Sequence, residues 1–210
     1  MGRYIGPSCR LCRREGMKLM LKGARCETAK CCMERQWRST PPGMHSWRRG
    51  RSSEYGMRLR EKQKVKRYYG VFEKQFIKYF DEASRHKGNT GAQLLVLLER
   101  RLDNVIYKLG MAPSRAASRI TVTHGHVHVN GRKVDIPSYL VRVGDKISVK
   151  DADRSRKLIR DSLEELGEPH VQSWLSFDMP KLEATVVAMP SRDDVMIPVE
   201  EQKIVELCSQ

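Results

Sequence analysis

Five of the chain's six cysteines fall within residues 9–32, in CRLCRREGMKLMLKGARCETAKCC, threaded with Arg and Lys. The surrounding fifty residues show no helical or strand period in their apolar positions, so they lack the buried surface to fold unaided. Something must tie them down. Disulfides, a redox pair, a metal clip and small buried thiols are the candidates. Cys9-x2-Cys12, thirteen residues, then Cys26-x4-Cys31 is a two-plus-two spacing. A C-x2-C turn aims two thiolates at one point, and a second close pair completes the tetrahedron of sulfur that Zn²⁺ takes at about 2.3 Å. The expected ligands of one structural zinc are therefore Cys9, Cys12, Cys26 and Cys31, with Cys32 an alternative to Cys31. Four thiolates leave no open position for catalysis. A redox C-x-x-C normally sits in a βαβ setting, absent here. Cys208, in an apolar helical pattern, reads as a packed thiol.

Charge separates the chain into unlike parts. Its 210 residues carry a formal net charge of +15. Residues 1–100 hold 24 Lys+Arg against 9 Asp+Glu, and the remainder 16 of each, with the acids concentrated toward the end. Such a balance points to a polyanionic partner. No apolar run approaches the roughly 18 residues of a membrane span, and the N-terminus lacks a signal-peptide pattern. A cytoplasmic location, where thiols stay reduced, is the expectation.

Candidate phosphate-contacting cations surround the cysteines: Arg3, Arg10, Arg13, Arg14, Lys22, Arg25 and Arg35. The following loop mixes His45 and Trp47 with Arg48, Arg49 and Arg51. There Trp47 suits either a stack on a splayed base or a place in the core. From Ser52 a basic helix is expected, offering Tyr55, Arg58, Lys62, Lys64, Arg67 and Tyr68. A second, amphipathic helix follows from Phe72. TGAQLLVLLERRLDNVIYKLG opens on a Thr90/Gln93 capping box and reads as buried helix, bent near Asp103 and stopped by Gly110. Ser114 caps a short helix. Asn130-Gly131, between alternating Val127/Val129 and Val134/Ile136, is a type I′ hairpin. Two short strands flank Gly144-Asp145, an Asp153-capped helix follows, and short strands and a last helix after Pro198 close the chain. His124 and His126 offer polar contacts beside the hairpin.

No phosphate-binding loop, dinucleotide fingerprint or nucleophile elbow occurs. An RNA-modifying or tRNA-charging enzyme would need a catalytic domain beyond the 55 residues after the hairpin region. A zinc-dependent transcription factor would need a groove-reading helix after the cysteines, and none is evident.

TPPGMH, EKQKVKRYYGVFEKQF, TGAQLLVLLERRLDNVIYKLG, SRAASRITVTHGHVHVNGRKVDIPS and VGDKISV, in that order, resemble the bacterial ribosomal protein S-four family of the small subunit, in its four-cysteine branch. Cys32, Ser118 and the Cys208-Ser209-Gln210 ending depart from the family pattern. The resemblance implies an α+β fold with a zinc-tied basic arm (1–50) and a helical domain (51–91 and 156–210). An RNA-binding module of short helices and a small antiparallel sheet (92–155) is inserted into that domain. It also implies that Ser114, Arg115, Arg119, Asn130, Arg132 and Lys133 form the module's RNA face. The function it implies is non-catalytic. The family binds small-subunit ribosomal RNA at a helix junction in the 5′ domain, nucleates assembly of the subunit body and supports translational accuracy. Ribosomal protein S-five, other small-subunit proteins and incoming mRNA are the implied neighbours, with no membrane and no small-molecule substrate.

Overall fold

The computed structural model describes residues 2–45, 53–167 and 171–209. It divides into two compact units, residues 1–94 with 196–210, and residues 95–195.

In the first unit the cysteine segment is more helical than its sequence suggests. α1 (Ser8–Glu15) ends at Gly16, whose φ of 69° supplies the left-handed C-cap. Two 3-10 turns follow, Gly23–Cys26 and Gln36–Arg38. Leu19 is fully buried. α2 (Glu54–Tyr68) starts where the Ser53 side chain accepts from the Gly56 N–H. α1 packs on α2, and Glu15 joins them, its buried carboxylate taking Arg67 and, at 3.2 Å, Arg60. α3 (Glu73–Arg85) buries Phe76, Tyr79, Phe80 and Ala83, while Phe72, the expected start of the helix, is its exposed N-cap. α8 (Glu201–Cys208) packs on α2, with Arg58 pairing to Glu206 at 2.9 Å.

α4 (Thr90–Glu99) opens differently from the expected capping box. Asn89, one residue earlier, accepts from the N–H groups of Gly91 and Ala92 at 2.9 and 3.3 Å. An Asx side chain can reach both amides without help from Gln93. Gly91 is required there, because a Cβ would lie 2.7 Å from that of Glu201.

In the second unit the long apolar segment breaks at Arg100–Arg101 and not at Asp103. α5 (Leu102–Lys108) begins after an extended Arg101. The break is made by backbone pairing: Leu102 N–H donates to the Tyr139 carbonyl at 2.8 Å, and Val141 N–H to that of Arg100 at 3.0 Å. α6 (Arg115–Thr123) carries the Ser114 cap. Its β-branched ITVT end is helical, with the Thr121 and Thr123 hydroxyls returned to the Ala117 and Arg119 carbonyls.

β1 (Val127–Val129) and β2 (Arg132–Lys133) form the hairpin, with positive φ at both Asn130 and Gly131. Only one strand, β3 (Lys146–Val149), flanks the Gly144 turn. The segment before it makes a single bridge, Arg101 to Leu140. α7 (Asp153–Leu166) takes Ala152 as its N-cap, without a side-chain bond from Asp153. β4 (Leu175–Asp178) and β5 (Glu183–Val186) complete an antiparallel sheet of order β2-β1-β3-β5-β4. Residues 156–195, expected with the helical domain, therefore belong to this unit, because β5 pairs with β3 and pulls α7 and β4 with it. The core gathers Leu102, Val105, Ile106, Leu109, Val122, Ile147 and Trp174.

Candidate nucleic-acid interface

The cysteines converge. Cys9 and Cys12, three residues apart on α1, share a face. They line one pocket with Cys26, Cys31 and Cys32. All six thiols of the chain are free. The Lys22 N–H points at Cys26 Sγ at 3.4 Å, and Cys32 Sγ donates to the Cys9 carbonyl at 3.6 Å. Burial, with Cys9 second, pushes the Cys32 thiol up to about 11. Burial also raises Cys12 and, on α8, Cys208. Sulfur donors gathered in one pocket suit the chemistry of zinc. Among the described residues, however, no three or more Cys, His, Asp or Glu side chains are arranged to hold an ion.

In the arm Arg3, Arg10, Arg14, Lys22 and Arg25 are exposed, as is His45, and of these Lys22 and Arg25 line the pocket. Arg13 and Arg35 are half-buried and partly committed to backbone. Arg13 Nε donates to the Thr40 carbonyl at 2.7 Å, and Arg35 Nε to that of Ala29 at 3.3 Å. Trp47, Arg48, Arg49 and Arg51 lie outside the described residues. An exposed aromatic missed by the sequence reading sits nearby. Trp37, 69% exposed, carries the Arg38 guanidinium 4.3 Å from its ring centre. The run RQWR is its signal.

On α2, Tyr55 is exposed. Lys62 is held by Glu73 at 2.5 Å, Lys64 by Glu61 at 2.5 Å, and Arg67 by Glu15. Lys62 and Lys66 outweigh burial and hold the Glu73 carboxyl below the usual carboxylate range. For Glu15 burial wins over Arg67 and Arg60, and its carboxyl lies above that range. Tyr68, expected on the RNA face, is buried against the edge of Tyr69.

The second unit divides its expected site residues into two groups. Ser114, Arg115 and Arg119 are buried, the two arginines at 7% and 8% exposure. Arg115 Nε donates to Asn104 Oδ1 at 2.8 Å and its guanidinium lies over the Tyr107 ring. Asn104 in turn donates to Glu99 Oε2 at 2.6 Å. Arg101 grips Asp103 with two bonds, of 3.0 and 2.6 Å, and Arg119 approaches the same carboxylate at 4.0 Å. Buried charges need such partners, and these contacts tie α6 to α5. Desolvation lowers the pKa of Lys108, which reaches Glu99 and the Asp194 carbonyl.

The hairpin forms the second group. Arg132 and Lys133 are exposed on β2, with His124 exposed nearby. His126 is half-buried, its Nδ1 2.9 Å from Ser155 Oγ, and burial lowers its pKa. Asn130 is exposed at the turn, but both ends of its amide are spent on Asp145 and Lys146. Two cations beside it, Arg142 and Lys146, are exposed and were not anticipated. They flank the Gly144-Asp145 turn, which was their visible signal.

A family profile described as the ribosomal protein S4/S9 N-terminal domain matches residues 3–99, and the S4 domain profile matches residues 100–147. The chain belongs to the uS4 family. It is 57% identical over 210 residues to the small ribosomal subunit protein uS4 of Halothermothrix orenii, covering all of both chains. It is 53% identical over 211 residues to that of Thermus thermophilus, again over the full length of both. In the frame of the uS4 family, the exposed cations of the arm lie in the N-terminal family segment. Those of the hairpin lie in the S4 domain.

Proposed function

We propose that this chain is a primary ribosomal-RNA-binding protein of the small ribosomal subunit, structural and not catalytic. The observation that carries this is full-length identity of 57% to a small ribosomal subunit protein uS4. The physical chemistry agrees. Exposed Arg and Lys on the arm and the hairpin neutralise phosphates and release counterions, which supplies affinity and makes it salt-dependent. Folded RNA is read by shape, backbone and 2′-hydroxyls more than by base sequence. Two units that each carry a cationic surface bind one RNA with avidity.

The finer reading is that the RNA is a helix junction in the 5′ domain, where binding nucleates the subunit body. Ribosomal protein S-five and the incoming mRNA are neighbours, and the chain supports decoding accuracy from that position. It works in the cytoplasm, within the subunit. Zinc belongs to the same proposal. Cys9, Cys12, Cys26 and Cys31 would hold it, and as a closed four-thiolate site it would cross-link the arm without supplying catalysis. Five thiols lining one pocket support a thiolate-held ion, and the two-plus-two spacing in the sequence selects these four. Cys32, whose S–H is already turned to the Cys9 carbonyl, is left as the spare thiol. The test is co-sedimentation of the full chain with reconstituting small subunits. Protein that stays in ribosome-depleted fractions would contradict the reading.

A further inference from the structure

A second pocket in the arm is lined mainly by cations. Arg13, Arg25, Lys30 and Arg38 line it, with Trp37 and the thiols of Cys9 and Cys32 completing the wall. No carboxylate lines it, and Glu34, close in sequence, is paired with Lys18. Arg13 is fixed in place by the Thr40 carbonyl, so part of the positive charge is preorganised.

Trp37 is displayed by a 3-10 turn, closed by the Arg38 N–H on the Arg35 carbonyl at 2.8 Å. The Arg38 guanidinium stacked on the indole ring orients it and adds charge. A large, flat, exposed ring among four cations suits one chemistry above others. An unstacked base offers a π-face to the ring while its flanking phosphates meet the cations. A double-stranded segment offers phosphates but no free base face.

We propose that Trp37, with Arg25, Lys30 and Arg38, forms a subsite for one unstacked nucleotide of single-stranded RNA. The subsite rests on the RNA-binding reading above and gives it a specific point of contact. Because stacking supplies most of the gain, removing the ring lowers affinity by about tenfold. The salt slope stays unchanged, since no phosphate contact is lost.

Trp37, Trp47 and Trp174 are the only tryptophans of the chain. In the full-length Trp47→Phe protein the remaining Trp174 is buried, so the long-wavelength emission of exposed Trp37 is followed while an eight-residue oligo-adenylate is added, with inorganic phosphate at equal ionic strength as control. Quenching by the oligonucleotide and not by phosphate is expected. In parallel, Trp37→Ala should bind small-subunit RNA about tenfold more weakly at fixed salt. Trp37→Phe should recover most of the loss, with melting temperatures unchanged in both. Wild-type affinity in Trp37→Ala, or equal quenching by phosphate, overturns the subsite while leaving the RNA-binding function standing. A wild-type chain that fails to bind small-subunit RNA overturns both.

Discussion

Asn130, at the tip of the β1–β2 hairpin, donates from Nδ2 to Asp145 Oδ1 at 2.8 Å, while its Oδ1 takes the Lys146 N–H at 2.9 Å. Asp145 Oδ2 accepts the Arg142 N–H at 2.7 Å, so one amide and one carboxylate lock two turns together. Asn130 also holds φ at 51°, a value few residues accept. Replacing it separates the two roles. Asn130→Gly keeps the backbone and loses the side-chain bonds, at about 1–3 kcal/mol. Asn130→Ala adds the left-handed strain, about 1 kcal/mol more. Urea denaturation of the two variants should rank them in that order.

Arg115 and Arg132 should fail in different ways. Arg115→Ala leaves Asn104 Oδ1 without its donor in the interior, so it lowers stability by about 1–3 kcal/mol. Arg132→Ala leaves the melting temperature alone, weakens RNA binding and lowers the salt slope by about one. Melting curves read beside binding isotherms at several salt concentrations distinguish the two behaviours. Equal stability of both variants would place Arg115 at the surface.

Much of the hairpin's role was legible because its chemistry is local. An Asn-Gly pair between alternating valines specifies its own turn, and Ser53 and Ser114 announce their helices by the amides just after them. The fate of Arg115, Arg119 and Tyr68 was not legible in the same way. Nothing in a cationic sequence says that Asp103 and Asn104, on another helix, lie beside these arginines. The break at Arg101 was hidden for a like reason, since the partners that make it lie near residue 140. β4 and β5 were read as strands, but nothing in their sequence says that β5 pairs with β3. The cysteine spacing announced a cluster, and all five thiols line one pocket.

Glu73 sets part of the acid response. Its carboxyl is held below the ordinary range by Lys62 and Lys66, despite burial. A depressed carboxylate stabilises the fold above its unfolded value, roughly pH 4.3, and that stabilisation is lost as pH falls through the lower folded value. Its side chain is 40% exposed, so the contribution is about 1 kcal/mol or less. Glu73→Gln should lower stability by that amount at pH 7 and by nothing at pH 2. Denaturation midpoints at the two pH values check this.

Metal content tests the arm. Elemental analysis should find one zinc per chain, lost in Cys9→Ser and kept in Cys32→Ser. Loss in Cys32→Ser with retention in Cys31→Ser would reverse the assignment of the fourth ligand. Removing the metal with a chelator should weaken RNA binding, because the arm's cations lose their fixed spacing, and leave the unfolding transition of residues 95–195 in place.

The central claim is tested most directly by filter binding of the full chain to the 5′ domain of small-subunit ribosomal RNA, set against large-subunit RNA of equal length, across a salt series. The account predicts tight preference for the small-subunit RNA, with log affinity falling steeply and linearly against log salt, as expected for a protein neutralising several phosphates. Equal affinity for both RNAs, or binding indifferent to salt, would contradict it.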